Sequence, residues 1–327
     1  DTGDLEKAKE YHQLALEITK EHLGPNHLHV ATSYNNLGLV YSKTGDLEKA
    51  KEYCQLALEI GKEQLVPKHA SIATFYNNLG LVYNDTGDLG KAKEYHQLAL
   101  EIRKEQLGPK HPSVAVSYNN LGLVHNNTGD FAKAKEYYQL SLEIRKEQLG
   151  PNHASVATSY NNLGFVYNET GDFEKAKEYH QLALEIRKEQ LGPKHASVAT
   201  SYNNLGFVYS KTGDLEKAKE CCQLALEIEK EQLVPKHASV ATSYNNLGLV
   251  YNDTGDLGKA KEYHQLALEI RKEQLGPKHA SVATSYNNLG LVYRKTGDFA
   301  KAKEYFQLAL EIEKEKLGPK HSSVATS

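Results

Sequence analysis

Histidine and cysteine are the residues of this sequence that could hold a metal ion. The chain has 15 histidines and 3 cysteines. A loop column, with one histidine every 42 residues, comprises His27, His69, His111, His153, His195, His237, His279 and His321. If each belongs to its own stacked helical unit, neighbouring histidines lie about 8–10 Å apart, too far to share one zinc ion. The sequence therefore predicts no metal site and no cofactor.

The cysteines and the remaining polar residues give no catalytic pattern. Cys54, Cys221 and Cys222 are too few and too irregularly spaced for a disulfide framework, which favours a reducing, cytoplasmic compartment. The sequence contains no nucleophile elbow, phosphate loop or paired acid motif. We therefore expect a protein that is not an enzyme.

Composition excludes two further classes. The 327 residues carry a formal net charge of −3, and arginine occurs only at 103, 145, 187, 271 and 294. Such scattered charges leave no basic surface for nucleic acid. No apolar run approaches the length needed to span a membrane. We expect neither nucleic acid nor a membrane as partner.

The polar chemistry that does recur is that of the side-chain amide. The stretch YNNLG begins at residues 34, 76, 118, 160, 202, 244 and 286. Asparagine and glycine are poor helix formers, so their return inside an apolar pattern requires a packing or binding reason.

The elements that position these amides repeat every 42 residues. Taking Leu28 as the start of a unit gives seven complete repeats at 28–69, 70–111, 112–153, 154–195, 196–237, 238–279 and 280–321. A partial repeat, 1–27, precedes them and a stub, 322–327, follows. No linker separates the repeats, so we predict one continuous array over 1–327.

Each repeat is predicted to be two helices. Apolar residues at helical spacing run from Leu28 to Lys43, and Gly45 is suited to the left-handed position that ends the helix. Asp46 then offers an N-cap for a second helix that continues to about Leu65. Because so short a pair cannot bury its apolar face alone, the fold class is all-α, an α-solenoid of stacked antiparallel helix pairs.

The spacing of Tyr34, Leu37, Gly38, Tyr41 and the later alanines resembles the tetratricopeptide repeat (TPR) signature. The 42-residue length and the LGPxH loop resemble the kinesin light chain and nephrocystin type. This resemblance covers the whole chain and implies a right-handed superhelix. It also implies that one face of each first helix lines a concave groove that receives an extended peptide.

A helical wheel places Gly38 on the core side, where a missing side chain allows close helix packing. Asn35 and Leu39 fall on the opposite side. The peptide-binding residues predicted from this wheel and the resemblance are Asn35, Asn77, Asn119, Asn161, Asn203, Asn245 and Asn287, with Leu39, Leu81, Leu123, Phe165, Phe207, Leu249 and Leu291. The asparagines could instead fix repeat geometry by bonding neighbouring helices.

Function stays open among three classes. The first is a non-catalytic scaffold that binds a protein partner through a peptide or a helix. The second is a structural spacer or self-stacking rod, and the third is a sensor array attached to a larger protein. Basic groove residues that select acidic-aromatic or carboxylate-tail peptides in TPR proteins are replaced here by Thr32, Asn35 and Leu39, so neither ligand class is expected. Stub 322–327 and fragment 1–27 together supply most of another repeat, which predicts head-to-tail self-association.

Overall fold

The computed structural model describes residues 2–232 and 237–317, with side chains described over 5–232 and 237–314. The terminal stub, His321 and the loop at Val234 lie outside the described residues. Two compact units divide the chain, Asp1–Val166 and Tyr167–Ser327. The single continuous array over 1–327 therefore remains a prediction.

Every described element is an α-helix. The first unit contains α1 (Thr2–Leu23), α2 (Leu28–Thr44), α3 (Leu47–Gln64), α4 (Ala70–Asp85), α5 (Leu89–Leu107), α6 (Pro112–Asn127) and α7 (Phe131–Leu149). Helix α8 (Ala154–Glu169) contains the division between the units. The second unit contains α9 (Phe173–Leu191), α10 (Ala196–Thr212), α11 (Leu215–Gln232), α12 (Ala238–Thr254), α13 (Leu257–Leu275), α14 (Ala280–Lys295) and α15 (Phe299–Leu317).

Even-numbered helices are the first helices of the repeats, and odd-numbered helices are the second. Within each unit every helix packs on the next one along the chain, and first helices also contact the first helices of adjacent repeats. No comparable contact joins successive second helices among the described residues. The first helices therefore lie on the inner side of each unit. The predicted all-α solenoid of helix pairs is confirmed.

The helix ends are fixed by local chemistry, as the sequence predicts. The Asp46 carboxylate accepts a hydrogen bond from the Lys49 backbone N–H at 3.2 Å, and Gly45 adopts φ 86°. An Asp N-cap of this kind is already encoded in each repeat, and the left-handed glycine avoids the Cβ clash that other residues would suffer. The predicted end of the first helix at Gly45 and the predicted N-cap of the second helix at Asp46 are confirmed.

The loop histidines are also helix caps. His69 Nδ1 accepts a hydrogen bond from the Ser71 backbone N–H at 3.1 Å, and His195 makes the same bond with Ser197. The same contact recurs at His27, His111, His153, His237 and His279. These histidines therefore satisfy a free N–H at the start of each first helix. No group of three potential metal-binding side chains occurs within the described ranges.

The core repeats with the helices. Leu37, Leu79 and Leu121 are completely buried, and alanines such as Ala50 and Ala57 allow the second helices to approach closely. Apolar burial of this kind contributes about 25 cal/mol per Å² and is the main source of stability. Over 2–232 and 237–317, no helix is both long and apolar enough to cross a bilayer.

Candidate functional site

The candidate site is the surface formed by the first helices within each unit. One apolar residue of each first helix belongs to this surface, and we call the set the apolar column. It consists of Leu39, Leu81, Leu123 and Phe165 in the first unit and Phe207, Leu249 and Leu291 in the second. The leucines are partly buried. The two phenylalanines are the most open, at 45% exposure for Phe165 and 38% for Phe207.

A small cavity lies beside the apolar column in the second unit. Gly206, Phe207, Cys222 and Leu249 are among the residues that enclose its volume of about 20 Å³. This is room for about one water molecule or one methyl group. In equivalent positions of other repeats, the bulkier His264 or Tyr138 stands where Cys222 stands here. Because the thiol is small, part of the space between two repeats is left unfilled.

The asparagine pairs bond one repeat to the next. Asn78 Nδ2 donates to Asn35 Oδ1 at 2.9 Å, and the second asparagine of a repeat makes the same bond to the first asparagine of the repeat before it. Further bonds of this kind run from Asn120 to Asn77, Asn162 to Asn119, Asn246 to Asn203, and Asn288 to Asn245. We call this series the amide ladder. These bonds between repeats explain why asparagine, a poor helix former, recurs at two adjacent positions of each first helix.

The first asparagines of the amide ladder are less exposed than the helical wheel predicts. The helical wheel puts Asn35 on the far side from the core, but the structure buries it, with 5% exposure, as it does Asn77, Asn203 and Asn245. The reason is that consecutive first helices contact each other and cover the amides between them. Asn119, Asn161 and Asn287 are only partly buried. Peptide binding by this column stays a prediction.

Glycines of the YNNLG stretches have the packing role predicted for them, as Gly38, Gly80 and Gly122 show. A Cβ added at Gly38 would lie 2.5 Å from Cys54 Sγ, and one at Gly80 would lie 2.8 Å from the His96 ring. At Gly122 the facing residue is Tyr138, whose ring would be 2.7 Å away. These separations are far shorter than a carbon contact allows. Glycine is therefore required at these positions, where the second helix of the pair packs against the first.

The histidines that face these glycines are buried and neutral. His96, His180 and His264 are no more than 1% exposed, and burial lowers the pKa of each to about 4. A neighbouring arginine lowers each pKa further, as Arg103 does for His96. The cysteines are buried too, and burial raises the pKa of Cys222 to about 12. A thiol with so high a pKa is a poor nucleophile.

A further set of residue pairs, which was not predicted from the sequence, joins second helices to the first helix of the next repeat. It pairs residues 14 apart, namely Gly61 with Phe75, Arg103 with Ser117, Arg145 with Ser159, Arg187 with Ser201, Glu229 with Ser243, and Arg271 with Ser285. A Cβ at Gly61 would lie 2.7 Å from Phe75, so the one large residue faces the one glycine. This covariation between neighbouring repeats is the sequence signal that could have revealed these pairs.

Loss of one rung of the amide ladder is expected to destabilise the fold. Asn78→Ala removes the donor to buried Asn35 Oδ1 and the acceptor for Asn77 Nδ2. Leaving buried amide atoms without partners costs about 1–3 kcal/mol of unfolding free energy. Urea unfolding followed by circular dichroism measures the loss.

The matched control is Asn127→Ala, which removes a bond of equal length, 2.9 Å, from Asn127 Nδ2 to Asn84 Oδ1 between exposed groups. Water replaces that partner, so the change should be within about 0.5 kcal/mol. Equal effects of the two substitutions would contradict a structural role specific to the buried ladder.

The geometry defines the class of this protein as an α-solenoid of helical repeats. A family model described as Tetratricopeptide repeat matches residues 1–63, 71–147, 114–189, 155–231, 197–273 and 239–315. The chain belongs to the tetratricopeptide repeat family.

Solved structures agree with this assignment. BtubC (BKLC) from P. vanneervenii is 27% identical, with a TM-score of 0.59 over 71% of this chain and 94% of that one. Nearly identical TPR-like repeats from Podosopora anserina, which carry a kinesin light chain description, are 23% identical, with a TM-score of 0.53 over 63% and 97%. The apo quorum sensor NprR from B. thuringiensis is 17% identical, with a TM-score of 0.75 over 95% and 83%. Comparison with curated proteins finds no match. The expected similarity to kinesin light chain-type repeats is confirmed, and a general interaction scaffold fits these relatives.

Proposed function

We propose that this protein is a non-catalytic scaffold whose first-helix surface binds an extended peptide segment of a partner protein. The observation that carries the proposal is the apolar column, which leaves Phe165 accessible in the first unit and Phe207 accessible in the second. Apolar side chains in a contiguous exposed stripe are typical of interaction surfaces. A cytoplasmic location is part of this proposal and rests on the three free cysteines.

The two kinds of side chain have different roles in the proposed complex. Leucine and phenylalanine of the apolar column contact the side chains of the peptide. The partly buried Asn119, Asn161 and Asn287 contact its backbone, because an amide can serve both as donor and as acceptor. The more deeply buried asparagines hold the first helices in register and so shape the surface.

The proposal is tested with peptides selected from a library against the parent chain. Phe207→Ser combined with Leu249→Ser is expected to weaken a selected peptide at least about tenfold, which corresponds to about 1.4 kcal/mol. Fluorescence anisotropy measures the affinity. The control is Leu275→Ser, because Leu275 is similarly exposed, at 40%, but lies at the end of a second helix.

Two outcomes would contradict the proposal. One is a selection that yields no binding peptide of any composition, which would favour the structural spacer. The other is a selected peptide that binds the double variant and the Leu275→Ser control with the affinity of the parent chain, because binding would then lie away from the apolar column.

A further inference from the structure

Three aromatic rings join the two helices of a repeat. In the first complete repeat, the Tyr53 ring of α3 contacts the rings of Tyr34 and Tyr41 on α2, with centroid separations of 5.6 Å and 5.3 Å. The central tyrosines that make the same two contacts in other repeats are Tyr95, Tyr137, Tyr263 and Tyr305. Aromatic rings attract each other at separations of this size. The central ring therefore bridges two flanking rings of the first helix.

The repeat at 196–237 lacks the central ring. Cys221 of α11 stands at the position that a tyrosine occupies in all the other repeats, including the partial one. The flanking residues Tyr202 and Tyr209 are present on α10, and both pack against the apolar cluster that contains Cys221. Among the described residues, neither of these two rings contacts another aromatic ring. A cysteine side chain ends at Sγ, so the space of one phenol ring is left above it. We call this space the aromatic gap.

Both flanking rings are accessible from solvent. A cleft of about 250 Å³ is lined by Tyr202 together with Lys188 and Leu224, and a cleft of about 440 Å³ is lined by Tyr209. Tyr209 is only partly buried, whereas its counterpart Tyr251, which contacts a central ring, is 7% exposed. A ring carried by another molecule can therefore reach the faces of both tyrosines.

The charges around the aromatic gap match an aromatic ring. Lys188 Nζ lies 4.9 Å from the centroid of the Tyr202 ring, and Lys217 Nζ lies 5.5 Å from that of the Tyr209 ring. Ammonium groups are attracted to the negative face of a ring. These lysines leave room for a central ring, since Lys20 and Lys49 hold the same positions in the first complete repeat, where Tyr53 is present.

We propose that the aromatic gap binds one aromatic side chain of a partner protein, which completes the set of three rings above Cys221. The argument for this occupant comes from the chain itself, because a tyrosine stands at the equivalent position of every other repeat. On α10, Tyr202 and Tyr209 point about 140° and 160° away from Phe207 around the helix axis. The aromatic gap is therefore a second surface, separate from the apolar column, and it does not depend on the peptide site proposed there.

A ring carried by a protein surface is favoured over a free aromatic compound. The aromatic gap offers two ring faces, and each aromatic pair contributes only modestly to binding. A free ring gains nothing else to offset the loss of its translational and rotational freedom. A side chain makes the same contacts as part of a larger interface, so we expect free rings to bind weakly and aromatic peptides more tightly.

The first test is a peptide selection with a matched competitor. Cys221→Tyr fills the aromatic gap with the residue of the other repeats and leaves the first-helix surface unchanged. A random peptide library selected on the parent chain, with excess Cys221→Tyr in solution, retains peptides that need the gap. We expect them to share one aromatic residue, whose replacement by leucine weakens binding at least about fivefold. Fluorescence anisotropy measures the affinities.

Failure of this test is distinct from failure of the proposed function. Peptides that bind the first-helix surface are removed by the competitor, so they do not contribute to the result. If no peptide is retained, or if the leucine versions bind as tightly as the aromatic ones, the aromatic gap is not a site, while binding at the apolar column is unaffected.

Two single substitutions separate the gap from the thiol. Cys221→Ser keeps the space open and should bind the selected peptides with the affinity of the parent chain. Equal loss of binding in Cys221→Ser and Cys221→Tyr would mean that the thiol is the binding group and would overturn the proposal. Cys221→Tyr should also raise the midpoint of thermal unfolding, because the new ring gains two aromatic contacts. A lowered midpoint would show that the gap has no room for a ring.

Transfer of the site to another repeat is a gain that a misfolded variant could not mimic. In a Cys221→Tyr background, Tyr263→Cys opens the equivalent space between Tyr244 and Tyr251, where the lysines are placed in the same way. The probe is N-acetyltyrosinamide in an NMR titration, and N-acetylleucinamide is its control. We expect the tyrosine probe alone to bind the parent and the double variant more tightly than Cys221→Tyr. A double variant of parental helicity that binds no better than Cys221→Tyr would contradict the proposal.

A second copy of the chain is the competing occupant, because Tyr11 on α1 is 72% exposed. Sedimentation velocity of the parent chain, Cys221→Tyr and Tyr11→Ser compares the two. We expect neither substitution to change the oligomeric state. If the parent chain associates and each substitution alone dissociates it, a second copy fills the aromatic gap, and the assignment to a partner protein is overturned.

Discussion

Lowering the pH from about 7 to about 4 is expected to remove about 8–9 kcal/mol of unfolding free energy through three buried histidines. His96, His180 and His264 have a pKa of about 4 in the folded chain, against an ordinary value of 6.5. Between these values the unfolded state binds more protons than the folded state. Stability therefore falls as the pH falls, by about 3 kcal/mol for each histidine.

The cause lies in the surroundings of the rings. Burial is the largest contribution to each lowered pKa, and the nearby Arg103, Arg187 or Arg271 adds to it. Asp46, Asp130 and Asp214 act in a different range, because hydrogen bonds and ion pairs at the helix caps hold their pKa values below the ordinary 3.8. Their contributions are present above that value and are lost only at still lower pH.

Urea unfolding at a series of pH values measures the effect. The triple variant His96→Tyr, His180→Tyr, His264→Tyr should lose most of the change between pH 6.5 and 4, since Tyr138 shows that a phenol fits opposite this glycine. The control replaces the helix-capping His69, His195 and His237 with Asn, which can also cap. A triple tyrosine variant with the full acid sensitivity of the parent would contradict the assignment.

Gly248→Leu is expected to cost about 1–3 kcal/mol of unfolding free energy, or more if the helix pair cannot separate. A Cβ at this position would lie 2.6 Å from His264 Cε1 and 2.9 Å from its Cγ. Contact with Cγ means that rotating the outer ring atoms cannot relieve the overlap, so α12 and α13 must move apart. The favourable helix propensity of leucine, about 1 kcal/mol over glycine, does not offset this.

The same substitution at Gly258 provides the control in the same repeat. A Cβ there meets only Asp256 Oδ1, at an ordinary 3.7 Å. Gly258→Leu should therefore leave stability unchanged or raise it by up to about 1 kcal/mol. If chemical denaturation shows that leucine lowers the unfolding free energy at position 248 but not at position 258, the contact across the helix pair is the reason for glycine at 248. The general effect of replacing a glycine in a helix would then be excluded as the cause. Changes of equal sign at the two positions would refute the role of that contact.

The sequence alone determined the repeat, its helices and their ends. Observed α2, Leu28–Thr44, and α3, Leu47–Gln64, differ from the predicted ends by one residue. The Asp46 cap, the left-handed Gly45 and the close contact at Gly38 were all predictable. These features depend on residues near one another in the chain or on a period of 42, and both are visible in the sequence.

Only the tertiary structure determines which polar groups are buried and which residues they contact. A wheel drawn for one helix puts Asn35 outside, but the next repeat covers it and Asn78 bonds to it. In the same way, nothing in the spacing of the arginines marks them as buried, but Arg145 is buried against Ser159 of the following helix. The environment of such a residue is made by a neighbouring repeat. Helical periodicity describes one helix and its core, so it carries no information about that second contact.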